Sequence, residues 1–72
     1  MDIKHKVGKR IRNLRKEKKI SQEQLGLISD IDRTYINSVE NGKRNISIIN
    51  LEKISMALDK SLREFFDSKL FE

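Results

Sequence analysis

Apolar residues recur at three- and four-residue intervals along this 72-residue chain, the spacing that gathers them on one face of a helix. Ile3, Val7, Ile11 and Leu14 form the first such face and predict a helix over about residues 3–18, with Asp2 placed to cap it. Three later starts share one device, a polar N-cap preceded by a hydrophobic residue that can pack on the fourth helical position. These sets are Ile20–Ser21–Leu25, Ile31–Asp32–Ile36 and Ile46–Ser47–Leu51, and they predict helices over about 21–28, 32–40 and 47–58. A fifth helix, over about 61–69, starts at Ser61. Ser21 with Gln24, and Ser61 with Glu64, have capping-box spacing. Each N-cap is worth about 1 kcal/mol. Asn41-Gly42 is a helix stop, the glycine being free to turn left-handed. There is no proline, and Gly8, Gly26 and Gly42 are the only glycines. The pattern is all-α: one domain over residues 1–72, a compact five-helix bundle without repeat or linker.

Size and charge narrow the classes. A chain this short buries only about 60% of the surface it exposes when unfolded, so self-association is a natural way to add burial. Without cysteine, neither disulfides nor thiolate metal sites brace the fold, and no metal or other cofactor is expected. No apolar run approaches the roughly 20 residues that span a bilayer, and the basic N-terminus lacks an apolar region of the secretory kind. The expected location is the cytoplasm, with no membrane partner. The net charge of +5 is uneven: residues 1–19 hold nine Lys/Arg against Asp2 and Glu17, and the remainder is slightly acidic. Spread around most of the first helix, those charges suit a long-range field for a polyanion better than a fitted phosphate clamp.

The turn Ser29-Asp30-Ile31 is too short for antiparallel stacking, so the second and third helices must cross steeply, as in a helix-turn-helix. Leu25, Ile31, Ile36 and Val39 face inward to hold that angle. Gly26 lies where a larger side chain would strike the third helix. That helix carries Arg33 and Thr34 in its first turn and Asn37 one turn on. A short helix with such side chains at its N-terminal end fits the DNA major groove. Arg33 can bind guanine through two hydrogen bonds, Thr34 can meet a thymine methyl or a base edge, and Asn37 can read adenine or hold a phosphate. Tyr35 can offer its hydroxyl to the DNA backbone while its ring packs on the domain. Gln22 opens the second helix, where free N–H groups and the helix dipole favour a phosphate. Lys43, in the basic loop after the third helix, is a candidate phosphate contact. Asp32 would repel a phosphate unless its carboxylate caps its own helix.

With Ser21-Gln22-Glu23-Gln24-Leu25, Tyr35-Ile36 and Glu40-Asn41-Gly42 in register, the chain closely resembles the lambda-repressor-like (Xre/Cro) helix-turn-helix family over about Val7 to Phe66. Asp32–Asn45 looks most like the small controller proteins of bacterial restriction–modification systems. Two positions depart from the family pattern. Asp30 replaces the usual turn glycine, and Ile46 replaces a frequent proline and supplies the staple instead. The resemblance implies that Gln22 binds the DNA backbone and that Arg44 and Asn45 touch DNA, Arg44 at base edges and Asn45 at the backbone. It also pairs Glu40 with an arginine on the first helix. Here that residue is Arg15, which borders the apolar stripe, so a partly buried structural ion pair is expected.

The last third carries more apolar surface than the back of a five-helix bundle needs, and an exposed remainder of that sort marks an interface. Ile49, Phe65, Phe66 and Leu70 are the candidates for a homodimer interface, with the choice between the two phenylalanines left open. The expected function is a sequence-specific transcriptional regulator, a homodimer on a palindromic operator in double-stranded DNA, autoregulatory and of controller type. It would act as activator or repressor, with RNA polymerase as a further candidate partner and no small-molecule ligand. The competing readings are a phage-type repressor and an antitoxin. The antitoxin is disfavoured because the chain ends almost at the close of the fifth helix, leaving little for a toxin to bind. An enzyme is not expected, because catalysis needs converging acid, base or nucleophile groups, and here the only histidine, His5, lies on a basic helix with no cysteine anywhere.

Overall fold

The computed structural model describes all 72 residues as six helical pieces: α1 (Ile3–Glu17), α2 (Gln22–Ser29), α3 (Arg33–Glu40), α4 (Ile48–Ala57), α5 (Leu62–Phe66) and a terminal 3₁₀ turn, η1 (Lys69–Phe71). Each α-helix begins where a side chain takes over an orphan amide. The oxygens of Asp2, Ser21, Asp32, Ser47 and Ser61 accept from the backbone N–H groups of His5, Gln24, Thr34, Asn50 and Glu64. Both capping boxes are closed. The staple residues Ile20, Ile31 and Ile46 all pack, partly buried, against the core.

The core is one cluster drawn from all five α-helices: Val7, Ile11 and Leu14 of α1; Leu25 of α2; Ile36 and Val39 of α3; Leu51 and Ile54 of α4 with Leu58 at its C-cap; and Phe65 of α5. Ile3, expected on the buried stripe of α1, stands largely exposed at the helix end. Two close approaches set how the helices cross. A Cβ on Gly26 would lie 2.7 Å from the carbonyl oxygen of Ile31, so the α2–α3 turn closes only over glycine. A Cβ on Gly8 would overlap the carbonyl oxygen of Val39, so α1 crosses the end of α3 backbone to backbone. Asp30 takes the left-handed conformation that ends α2 (φ 58°), and Gly42 does so after α3 (φ 71°). Aspartate tolerates this region at small cost.

The C-terminal helix differs from expectation. The fifth helix stops at Phe66 instead of running to residue 69, and the chain bends through Asp67 and Ser68 into η1. Ser68 is extended and its hydroxyl accepts from the Leu70 N–H, a local bond that competes with the helix. The bend also brings aromatic rings together. Phe66 and Phe71 pack edge-on with centroids 4.9 Å apart, and Phe65 meets Phe66 the same way at 5.1 Å. In a continuous helix Phe71 would point about 140° away from Phe66. Phe65 is fully buried, so it belongs to the core and is withdrawn from the interface candidates.

Candidate nucleic-acid interface

Arg33 and Thr34 are both exposed on the first turn of α3, and neither packs into the protein. Their presentation follows from the cap. Oδ1 of Asp32 accepts from the Thr34 N–H at 2.7 Å, which spends the carboxylate on α3's own backbone. Buried Ile36 and Val39 hold the opposite face of α3 against the core.

Behind that face lies a polar seam centred on Glu40, whose side chain has no exposed surface. Arg15 grips it with two hydrogen bonds, Nε to Oε2 at 2.8 Å and Nη2 to Oε1 at 3.0 Å, while its Nη1 donates to the carbonyl of Ile20 at 3.0 Å. Gln22 Nε2 donates to Glu40 Oε1 at 3.1 Å, and Arg12 Nε approaches the same oxygen at 3.4 Å. Burial alone pushes the Glu40 carboxyl up. The hydrogen bonds from Arg15, Gln22 and Arg12, with the charge of Arg15, outweigh it and hold the group below the usual glutamate range. The bonds to Glu40 raise the Arg15 guanidinium in turn, against the opposing effect of its own burial. One acidic side chain thus ties α1, α2 and α3 together.

The seam reaches the surface through amides. Asn37 Nδ2 donates to Gln22 Oε1 at 3.2 Å, and Asn37 Oδ1 accepts from Asn41 Nδ2 at 3.2 Å. Asn41 Oδ1 in turn lies 3.4 Å from Arg12 Nη2. Gln22 and Asn37 are therefore oriented by their neighbours, each keeping one N–H and an oxygen lone pair free for an incoming group. The loop after α3 is ordered by Tyr35, whose hydroxyl oxygen accepts from the Ser47 N–H at 3.2 Å and whose half-buried ring lies 4.7 Å beneath the Arg44 guanidinium. That hydroxyl keeps its proton to donate. Lys43, Arg44 and Asn45 are exposed.

The structure therefore brings Gln22, Arg33, Thr34, Asn37 and the 43–45 loop to the α3 side of the molecule. It places Arg15 and Glu40 directly beneath them. Arg12 and Asn41 escaped the reading of the sequence, although Arg12 precedes Arg15 by one helical turn and Asn41 follows Glu40. That spacing is the signal that could have found them. The contact between His5 and the turn glycine Gly42 was not legible either, because nothing local links α1 to that turn.

The helix-turn-helix family description matches residues 11–65, which contain all of α2, the turn and α3. The chain belongs to the helix-turn-helix family. Within it, the chain is 53% identical over 66 residues to the control protein C.MunI of Mycoplasma, covering 90% of this chain and 89% of that one. Among solved structures it is similar to the restriction–modification controller protein C.AhdI of Aeromonas hydrophila, with a TM-score of 0.84 and 46% identity over 88% of this chain and 96% of that one. The controller protein C.Esp1396I, solved as a tetramer with its natural 35 base-pair operator, superposes with a TM-score of 0.87 at 39% identity, over 93% of this chain and 88% of that one. This helix-turn-helix protein is a transcriptional regulator close to the controller group. None of its helices is long and apolar enough to cross a membrane.

Proposed function

We propose that this chain acts as a homodimer that sets two copies of α3 into successive major grooves of a palindromic operator, as a controller-type regulator of its own promoter. The observation that carries this reading is the outward projection of Arg33 and Thr34 over a recognition helix locked at its far end by Glu40. Arg33, Thr34, Asn37 and Arg44 are the base-reading set. Gln22, Tyr35, Lys43 and Asn45 hold the sugar-phosphate backbone. The second copy docks on the apolar face of α4 and α5, where Ile49 is 66% exposed and Phe66 39% exposed, with half-buried Leu70 at its margin. Two recognition helices about 34 Å apart read two half-sites one turn of duplex apart. RNA polymerase is the further partner that an activating role requires. Cytoplasmic residence and the absence of enzymatic activity follow from this function.

Selection of binding sites from random duplexes tests the proposal. The expected outcome is a two-fold symmetric site with half-site centres separated by about one helical turn. Enrichment of an unsymmetrical site, or no enrichment at all, overturns it.

A further inference from the structure

The nine basic residues of the first nineteen fall into two groups once their partners are known. Arg10 is spent on the end of α5, its Nε donating to the carbonyl of Phe65 at 2.7 Å and its Nη2 to that of Glu64 at 3.0 Å. Arg15 is spent on Glu40 and Ile20, and Lys18 on Asp59. Lys4, Lys6, Lys9, Lys16 and Lys19 form no ion pair, and Arg12 is held only loosely, its side chain 43% exposed. The charge of α1 is therefore not a uniform coat.

At 100° per residue, His5, Lys9, Arg12 and Lys16 occupy an arc of about 60° on α1. That arc borders the seam with α3. Arg12 reaches Glu40 and Asn41 at the C-terminal end of the recognition helix, and the His5 ring lies against Gly42 in the turn beyond it. Lys9 and Lys16 stand one step further round the same face, both exposed. From Lys9 to Lys16 the stripe runs for about 10 Å. Over that axial length one DNA strand carries about three phosphates.

We infer that the Lys9–Arg12–Lys16 stripe of α1 is a second phosphate-binding surface, holding the sugar-phosphate backbone that passes the C-terminal end of α3. It carries no base information. Arg12 couples it to the recognition helix through Asn41 and Glu40, so a strand seated on α1 also steadies the helix in the groove. The inference rests on the operator-binding function proposed above.

The test compares two double variants that remove the same charge, Lys9→Gln/Lys16→Gln on the stripe and Lys60→Gln/Lys69→Gln away from it. Both are measured on the selected operator and on random duplex across a series of salt concentrations. In the homodimer the double variant removes four phosphate contacts, two from each copy, which lowers the slope of log K against log salt by about 3.6 and weakens binding roughly 10³–10⁴-fold at 0.1 M salt. The stripe variant should show this loss equally on both duplexes, so that selectivity is kept, while the distant variant binds nearly as wild type. Equal slopes for the two variants would make α1 only a source of diffuse field and overturn the inference. Failure of the operator-binding reading shows separately, as wild-type protein that does not prefer operator over random duplex.

Discussion

The two ends of this molecule share one apolar core but are finished differently. Where α1, α2 and α3 meet, a polar seam is added to that core and is complete: a fully buried carboxylate is met by Arg15, Gln22 and Arg12, and no buried side-chain polar atom lacks a partner. Where α4, α5 and η1 meet, the contacts are apolar and unfinished. Leu51, Ile54, Leu58 and Phe65 are buried, yet Ile48, Ile49 and Met56 remain 66–68% exposed. Directional bonds suit the first region because a reading helix must be held at one angle, and hydrogen bonds to charge are short and orientation-dependent. Apolar area is non-directional and suits a surface to be buried by a second copy. The polar seam is sufficient in one chain, whereas the apolar face is left exposed for the second copy proposed above.

Breaking the seam should have the largest effect. Glu40→Ala leaves Arg15 without its carboxylate in a largely buried site, at a cost of about 3–5 kcal/mol in the stability of the fold, read by denaturant unfolding. Its pH dependence adds a signature. The folded carboxyl titrates below the unfolded one, so the stability it contributes is in place above the ordinary glutamate range, about pH 4.3. It drains away as pH falls through the lower folded value. Acid unfolding of the wild type should show this loss, and the variant should lack it. A variant as stable as wild type would mean that the seam does not hold the reading helix.

The apolar end should answer in the opposite way. Ile49→Ser changes an exposed side chain, so the stability of the single chain should move by no more than about 0.5 kcal/mol. Self-association should weaken by about 1.5–3 kcal/mol for each copy's isoleucine, visible as a rise in the dimer dissociation constant by sedimentation. An unchanged association constant would place the interface elsewhere.

Arg33→Ala is the finest probe, since it touches neither packing nor dimer. It should cost about 1–3 kcal/mol of discrimination between operator and mismatched duplex while leaving weak, salt-sensitive binding in place. Equal losses on operator and random DNA would make Arg33 a phosphate contact rather than a base reader.

Local chemistry wrote the helix starts plainly enough to read. Each capping side chain acts within three residues, and the staples act within five, so Ser21, Asp32, Ser47 and Ser61 announced their helices in the chain alone. The recognition helix was legible for the same reason, because Arg33, Thr34 and Asn37 needed only the cap before them and the apolar face behind them. The close of the fifth helix was less so. Its end depends on whether Phe71 finds Phe66, a choice between a helix and a bend that three terminal residues do not express.

The amino-acid order by itself determined the number of α-helices, their starting points and the polar side chains that α3 leaves exposed, since all of these rest on interactions between near neighbours. Only the tertiary structure decided that Phe65 is core while Phe66 faces out, that Arg12 and Asn41 join Arg15 around Glu40, and that three of the nine N-terminal cations are spent on the fold. Those outcomes depend on which distant atoms lie within about 3 Å, and charge or hydropathy along a chain carries no such distance.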